Sequence, residues 1–284
     1  MVSRDRRGVL YPARLPTLVR LPPPEAVSSF VCWFWIPEWC IAAGRVSRQH
    51  LIAFPACNLV VEPDAVGLSG PATRRSYRDL TGTGWAVGAL LRPAAVPSFT
   101  GTPADLQDTY QTVELPDLQA RVADAMNGPA DPPERHRLAV NAFADWLTAS
   151  VPPPCPEAQL ANAMAELIDS DPGVLRVEDV AGRLHVSTRT VQRLARRYVG
   201  LPPLTMIRRR RLQEAAQQLR IDPRTSLAQL AAHLGYADQA HLSTDFRAVL
   251  GFTPSAYRSA TTPDRNLDTA VPDPKTHRNS SQAD

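Results

Sequence analysis

The chain has 284 residues, enough for two domains, and its 31 basic and 28 acidic side chains leave a net charge of +3. It contains no apolar run of about eighteen residues, and no apolar stretch follows its charged N-terminus, which argues against a membrane-spanning helix and a signal peptide. The four cysteines form no CxxC pair, so we expect no zinc site and predict reduced thiols in a cytoplasm.

The first 150 residues are predicted to form a β-rich module followed by helices. Apolar runs at residues 30–36, 51–61 and 84–91 predict buried strands, and turn signals such as Glu62-Pro63-Asp64 separate them. Beyond Pro103 the apolar spacing becomes helical. We expect one helical face at Leu115, Leu118, Val122 and Met126 and another at Leu138, Ala142, Trp146 and Leu147.

Aromatic residues are concentrated in the first of these strands. Trp33 and Trp35 share one face by alternation, Phe34 points to the other face, and Trp39 follows. The cluster either lines an apolar ligand pocket or belongs to the core of the strand layer, and we favour the core.

Two further groups in this region are weaker candidates for chemistry. Arg92 and the Arg74-Arg75 pair could hold an anionic effector, although such side chains more often have surface or structural roles. Cysteines could sense an oxidant or an alkylating agent, but this requires a depressed thiol pKa. No lysine or histidine flanks the three cysteines in question, Cys32, Cys40 and Cys57.

Prolines mark the end of the N-terminal region. Pro152-Pro153-Pro154, followed by Pro156, predicts a stiff linker between two domains. The last two dozen residues are polar and lack aromatic side chains, which predicts a disordered tail.

Residues 177–200 carry the pattern of two helices joined by a tight turn. The first helix is predicted from a stripe at Val177, Val180, Ala181 and Leu184. His185-Val186 then forms the turn, Ser187 caps the second helix, and Gly200 ends it. The inward face of the second helix is Val191, Leu194, Ala195 and Tyr198. Its outward face is Arg189, Gln192, Arg193 and Arg196.

A long amphipathic helix is predicted to follow over residues 204–219. Its apolar side consists of Leu204, Ile207, Leu212, Ala215, Ala216 and Leu219. Residues 180–213 contain nine arginines and no acidic residue, whereas basic and acidic residues balance over residues 1–156. The positive charge therefore concentrates in this region, as expected for a nucleic-acid contact. The arginines at 208–211 point all round the helix, so some must form salt bridges or lie over the core.

A second two-helix pattern occupies residues 226–251. Leu227, Leu230, Ala231 and Leu234 form its first stripe. Ser226 with Gln229 resembles a capping box, Gly235 ends the helix, and Asp238 caps the next one. Leu242, Phe246 and Val249 point inward in that next helix. Gly251 closes it, and Thr253-Pro254 starts another helix.

The block from about residue 157 to 260 resembles the DNA-binding domain of the AraC/XylS family of bacterial transcription regulators. The matching residues are Gly235-Tyr236-Ala237, Phe246-Arg247, the segment GFTPSAYR from Gly251, and the first unit, DVAGRLHVSTRTVQRLARRYVG. Leu242 departs from the family, which more often has an aromatic there, and so does the double proline Pro202-Pro203. The resemblance implies a DNA-binding domain at 158–260 and an effector-sensing or dimerisation domain at 1–150. The prolines and the polar composition add a linker at 151–157 and a tail at 261–284.

The family resemblance also implies a set of DNA contacts. Each second helix would enter a major groove, and the long helix would hold the two about one duplex turn, roughly 34 Å, apart. The implied phosphate contacts are Ser187, Arg196 and Arg197. The implied base contacts are Arg189, Gln192 and Arg193 in the first unit and Gln239, Ala240, His241 and Thr244 in the second. The second set is less charged, which favours readout that depends more on DNA shape.

The N-terminal region resembles an uncharacterised domain that often precedes such DNA-binding domains. Residues 70–73 and 88–95 carry this likeness, which spans about residues 25–120 and implies a cupin-like barrel or sheet. The histidine ligands of cupin enzymes are missing, since His50 is the only histidine before residue 136. The expected fold class is therefore α+β: a β-rich, cupin-like module with following helices, then an all-α domain.

We interpret the chain as a cytoplasmic, sequence-specific transcription regulator without catalytic activity or cofactor. Double-stranded DNA is its expected partner; a small-molecule effector, RNA polymerase and a second copy of the chain are further candidates, and a membrane is not. Two alternatives remain open. One is a cysteine-based alkylation or redox sensor coupled to a DNA reader, and the other is an architectural protein that binds DNA without sequence preference.

Overall fold

The computed structural model describes residues 17–51, 55–74 and 76–261. Its N-terminal part is a β-rich module, as predicted, built from antiparallel strands. They are β1 (Thr17–Leu21), β2 (Val31–Cys40), β3 (Ser47–Leu51), β4 (Asn58–Val61), β5 (Val66–Ser69), β6 (Ser76–Leu80), β7 (Thr83–Trp85), β8 (Val87–Leu91) and β9 (Tyr110–Thr112). The main sheet has the order β1-β2-β8-β4-β5-β9, with β7 also paired to β2, and β3 pairs with β6.

Two of the predicted strands are split in the structure. In the run 51–61, β3 ends at Leu51 and strand structure resumes only at Asn58, after Pro55, which has no N–H to donate to a ladder; residues 52–54 lie outside the described residues. The run 84–91 is interrupted at Ala86. As a result β7 pairs with the end of β2, whereas β8 lies between β2 and β4.

The core of this module lies on one face of the main sheet, beneath the helices α1 (Pro116–Asn127) and α2 (Pro132–Ser150). Phe34 and Ile36 of β2 are fully buried there, and the Phe34 ring meets that of Phe143 at a centroid distance of 5.4 Å. The predicted face of α1 is confirmed at Leu118, Val122 and Met126.

The predicted face of α2 is confirmed at Leu147, which is fully buried, and is wrong at its other residues. Leu138, expected to face inward, is 40% exposed, and Ala142 and Trp146 are only half-buried. Apolar residues occupy more than one side of this helix, so its own pattern leaves the orientation ambiguous, and the side that carries Phe143 packs on the sheet. The buried residues are His136, Ala139, Val140, Phe143, Ala144 and Leu147.

The tryptophans of β2 lie outside the core, contrary to the prediction. Trp33, Trp35 and Trp39 are half-buried on the opposite face of the strand. The Trp35 ring lies across Gly88 of β8, where an added Cβ would be 2.1 Å from the ring, and its indole N–H donates to Asn58 Oδ1 at 3.0 Å. The alternation of Trp33 and Trp35 against Phe34 was therefore predicted correctly, but the helices cover the face with Phe34.

The C-terminal part is helical, with two helix-turn-helix units on either side of a long helix. Its helices are α3 (Pro156–Ser170), α4 (Val177–Arg183), α5 (Thr188–Tyr198), α6 (Pro203–Ile221), α7 (Leu227–His233), α8 (Gln239–Leu250) and α9 (Pro254–Thr261). Leu204, expected on the apolar side of α6, is 58% exposed. No helix in the described part of the chain combines the length and apolar character that a bilayer span requires. The predicted tail lies outside the described residues from 262 onward.

The two units have separate cores. The first, around α3, α4 and α5, contains Val180, Leu194 and Tyr198, and it also takes in Ala94 from the N-terminal module. The second, around α7, α8 and α9, is formed by buried residues between Leu212 and Tyr257. The long helix α6 contributes its first half to one core and its second half to the other.

The N-terminal module packs directly on the first unit. The buried Asn162 of α3 accepts from the backbone N–H of Ala94 and donates to the carbonyl of Ser29, both at 2.8 Å. Gly200, with φ of +83°, abuts the backbone of Pro103, so closely that an added Cβ would lie 2.5 Å from the Pro103 carbonyl carbon. The proline-rich linker is thus a short join between packed parts, from the end of α2 to Pro156.

Candidate nucleic-acid interface

The second helix of the first unit, α5, presents a polar face outward. Ser187 caps it, since its Oγ accepts from the Thr190 backbone N–H at 3.1 Å, and His185 makes the preceding turn with φ of +54°. Val191, Leu194, Ala195 and Tyr198 are buried, as predicted. All six candidate contact residues of this unit are exposed: Ser187, Arg189, Gln192, Arg193, Arg196 and Arg197.

Two of these arginines share one carboxylate. Arg193 Nη1 lies 2.6 Å and Arg197 Nη1 lies 3.2 Å from Oε1 of Glu157, at the start of α3. The arginine side chains remain 53% and 61% exposed. The carboxylate of Glu157 therefore partly neutralises the positive charge at the C-terminal half of α5.

An open cavity of about 270 Å³ lies between α5 and the N-terminal module. Its walls are residues 101–105 of the module and Arg193, Arg196 and Arg197. Arg196 makes no ion pair with any residue that the structure describes. The N-terminal module therefore lies beside the C-terminal half of the polar face of α5, and the half with Arg189 and Gln192 is open to solvent.

The second helix of the second unit, α8, is arranged in the same way. Asp238 caps it by accepting from the His241 backbone N–H at 2.7 Å, and Gly251 ends it with φ of +80°. The His241 and Tyr236 rings form a T-shaped pair at a centroid distance of 5.1 Å. The four candidate base contacts of this unit are exposed: Gln239, Ala240, His241 and Thr244.

Two sequence predictions for the second unit have different outcomes. Ser226 stands at the N-cap of α7, but its side chain makes no capping hydrogen bond, so the predicted capping box is wrong. Leu242 fills its predicted core position and is fully buried. The leucine at this position therefore contributes to packing and takes no part in the exposed face.

The arginines at 208–211 make contacts within the protein. Arg209 and Arg210 are buried, and Arg208 pairs with Asp245 of α8 at 2.6 Å. The guanidinium of Arg211 lies 3.7 Å from the centre of the Tyr236 ring. The expectation that some members form salt bridges or lie over the core is confirmed.

The candidate effector-binding arginines that the structure describes in the N-terminal module form ion pairs. Arg92 pairs with Glu166 of α3 at 2.9 Å, and Arg74 pairs with Asp108 at 3.7 Å, whereas Arg75 lies outside the described residues.

The cysteines differ in environment. Burial raises the pKa of the Cys32 and Cys57 thiols to about 12, which makes them poor nucleophiles, and Cys40 is exposed. Hydrogen bonds from the Ala158 backbone N–H and the Tyr198 hydroxyl lower the pKa of the exposed Cys155 thiol. Among the described residues, no three His, Cys, Asp or Glu side chains are grouped as metal ligands would be.

Comparison with known proteins gives matches to both parts of the chain. Residues 180–260 match the family model of a helix-turn-helix domain, and residues 19–112 match that of a domain of unknown function, DUF6597.

Curated relatives match the C-terminal part. A putative AraC-like transcription regulator from Streptomyces lividans is 32% identical over 120 residues, which are 42% of this chain and 38% of the relative. The HTH-type transcriptional activator RhaS from Escherichia fergusonii is 33% identical over 102 residues, or 36% of each chain. This chain thus spans little more than a third of the length of these relatives.

Among solved structures, the DNA-binding domain of AdpA, a global transcriptional factor, in complex with a target DNA is 31% identical. The match covers 36% of this chain and 90% of that one, with a TM-score of 0.32.

Proposed function

We propose that this chain, whose C-terminal region is an AraC-type helix-turn-helix domain, is a sequence-specific, DNA-binding transcription regulator. One observation carries the proposal. The second helix of each unit is capped, buries its apolar face in its own core, and leaves a continuous polar face exposed. A rigid helix with such a face is what a major groove admits.

We propose that α5 and α8 enter successive major grooves of one duplex, with α6 between them. In the first groove Arg189 and Arg193 would read guanine through paired hydrogen bonds, and Gln192 would read adenine. In the second groove the proposed contacts are Gln239, Ala240, His241 and Thr244. Because these side chains are uncharged or weakly basic, the second unit would contribute less affinity and more discrimination by shape.

Phosphate contacts would come from the margins of α5. Ser187 would donate its hydroxyl hydrogen to a phosphate while its oxygen keeps accepting from the Thr190 backbone N–H. Arg196 has no ion pair with a described residue, whereas Arg197 would have to leave Glu157. Arg196 is therefore the stronger of the two proposed phosphate contacts.

Selection of bound sequences from a random duplex pool tests the proposal. A regulator enriches a defined motif with two parts about one helical turn apart. An architectural protein, the second candidate, binds the pool without enriching any sequence, and that result would remove the regulator assignment.

The selected duplex then tests the named side chains. Arg193→Ala is expected to cost about 1–3 kcal/mol of binding free energy and to relax the preference at one base position. Arg121→Ala, an exposed position in α1 of the N-terminal module, is the control for losing a positive charge. Unchanged affinity and preference in Arg193→Ala would remove Arg193 from the interface.

The N-terminal module is proposed to provide regulation. A small-molecule effector, RNA polymerase and a second copy of the chain are its proposed partners, and the cytoplasm is the proposed location. Sedimentation of the full chain with and without duplex tests the second copy first, because a dimer would bind two motif copies.

A further inference from the structure

The four consecutive arginines of α6 connect this helix to three different parts of the molecule. Successive residues of a helix point about a quarter turn apart, so a run of four can reach in all directions. Arg208 and Arg211 reach the second unit, at Asp245 and at the Tyr236 ring. Arg210 reaches the first unit, where its Nη2 donates to the Val174 carbonyl at 2.8 Å. Arg209 alone points the other way, into the N-terminal module.

The environment of Arg209 is unusual for an arginine. Its side chain is 1% exposed, and it donates through Nε to the Ala72 carbonyl at 3.2 Å and through Nη2 to the Arg74 carbonyl at 2.8 Å. Its Nη1 has no hydrogen-bond partner in the described structure, and no carboxylate pairs with it there. Burial lowers the pKa of Arg209 to about 10, against the attraction of Asp108.

Burying a guanidinium without a carboxylate partner is unfavourable, because the charge loses its hydration and gains no opposite charge. An apolar side chain of similar length would fill the same space without that cost. What the arginine adds is direction, because its rigid fork binds two carbonyls of one loop at once and so fixes the angle as well as the distance.

The loop that Arg209 binds is itself held by the sheet. The Thr73 N–H donates to Asp108 Oδ1 at 2.7 Å, and the Asp108 N–H donates to the Pro71 carbonyl at 3.1 Å. Asp108 lies two residues before β9. A continuous chain of bonds therefore runs from the main sheet through residues 71–74 to α6, and from α6 to both helix-turn-helix units.

We propose that Arg209 is the positioning residue that couples the N-terminal module to both reading helices, α5 and α8, so that duplex binding and the stability of the module support each other. The proposal rests on the proposed function, since DNA is the ligand that would reveal the coupling. Coupling of this kind is reciprocal: whatever the duplex gains from a docked module, the module gains from a bound duplex.

The distribution of tryptophan provides a direct readout. All five tryptophans, Trp33, Trp35, Trp39, Trp85 and Trp146, lie in the N-terminal module, and none lies in the helix-turn-helix units. Thermal unfolding followed by tryptophan fluorescence therefore reports on the module alone, while the duplex binds elsewhere.

The experiment compares full-length variants with and without saturating amounts of the selected duplex. In the unaltered protein the duplex is expected to raise the tryptophan-reported midpoint by several degrees. Arg209→Met should lose at least half of this rise, and Arg209→Lys should keep most of it, because an ammonium can still donate to both carbonyls. Arg121→Met, which removes an exposed arginine of α1, should keep the full rise. An equal rise in Arg209→Met, or no rise in the unaltered protein that binds the duplex, would overturn the proposal.

Separate readouts keep the two proposals apart. Fluorescence anisotropy of labelled duplex measures binding itself; if the unaltered protein fails to bind, the proposed function has failed. The coupling is then tested without DNA. Thermal unfolding followed by tryptophan fluorescence and by circular dichroism should give one common midpoint in the unaltered protein and two different midpoints in Arg209→Met.

A measurement on the unaltered protein covers the case in which Arg209→Met does not fold. Duplex binding is expected to slow amide hydrogen exchange in residues 72–74, which lie in the N-terminal module. Unchanged exchange in this loop on duplex binding would overturn the coupling.

Discussion

The two helix-turn-helix units share one local design and differ in what surrounds them. The first unit includes Ala94 of the N-terminal module in its core, is bridged to the module by Asn162, and has its reading helix beside residues 101–105. The second unit is built around buried residues that begin at Leu212 and end at Tyr257. The same motif is therefore part of a larger packed body in one place and a separate small core in the other.

The difference extends to charge. The first reading helix carries four exposed arginines, two of which are paired to Glu157, whereas the exposed candidate contacts of the second helix include only His241 as a titratable group. Under the proposed function, the first unit would therefore supply most of the affinity for DNA.

The largest expected effect comes from opening one core at a time. Phe246→Ala in the second unit should cost about 3–5 kcal/mol and Leu194→Ala in the first about 2–5 kcal/mol, since both side chains are fully buried. Phe246→Ala should unfold its unit and lower the tryptophan-reported midpoint of the N-terminal module only slightly, because the module reaches that unit only through α6. Leu194→Ala should lower the midpoint much more, because it opens the core that includes Ala94. Denaturant unfolding followed by tryptophan fluorescence and circular dichroism distinguishes the two variants. An equal shift of the tryptophan-reported midpoint in both would contradict the difference between the two units.

A smaller effect tests the contact between module and first unit. Gly200→Ala combines a positive φ with a clash against the Pro103 backbone, and should cost more than the 1–2 kcal/mol or so of the backbone conformation alone. Gly44→Ala is the matched control, because Gly44 has φ of +77° and nothing within 4 Å of an added Cβ. The difference between the two variants in free energy of unfolding measures the clash with Pro103. Equal losses would mean that the contact between Gly200 and Pro103 relaxes without cost.

The pairing of Glu157 with the reading helix predicts a gain in DNA affinity. Glu157→Gln should free Arg193 and Arg197 and strengthen binding several-fold, because exposed ion pairs of this kind are worth up to about 1 kcal/mol. Glu178→Gln removes an exposed carboxylate from α4 of the same unit and controls for charge alone. Titrations at several salt concentrations measure both; an equal gain in the two variants would show that the pairing itself is immaterial.

The smallest effect concerns thiol reactivity and leaves stability unchanged. Hydrogen bonds to Cys155 lower its pKa, so a larger fraction is thiolate at neutral pH, while burial raises the pKa of Cys57 to about 12. Iodoacetamide should therefore label Cys155 first, with a rate that rises at lower pH than for an unperturbed thiol. Peptide mass mapping checks the order, and early labelling of Cys57 would indicate that the core of the N-terminal module opens.

The helix-turn-helix units could be predicted because their signals are local. Caps at Ser187 and Asp238, the positive φ at Gly251 and the inward stripes all depend on residues within one or two helical turns. The N-terminal strands were predicted less well, since the face that the helices cover is chosen by packing. For the same reason the alternation of Trp33 and Trp35 against Phe34 was predicted correctly, but the tryptophans were wrongly expected in the core.

The contacts between the N-terminal module and the helical C-terminal part could not be predicted from the sequence. Arg209 binds carbonyls more than 130 positions earlier, at Ala72 and Arg74, and backbone carbonyls leave no mark in the sequence. Asn162 is equally unremarkable before its partners in the N-terminal module are known. The run of arginines did indicate that some of its members are structural, because no helix presents four successive residues on one face.

Native-state hydrogen exchange with increasing denaturant tests most directly whether the first unit belongs with the N-terminal module. The amides of α5 and of strand β8 should merge into one cooperative opening, and those of α8 should open earlier, at a lower free energy. The opposite grouping, with α5 and α8 opening together before β8, would show that the two units form a domain independent of the module and would contradict the account.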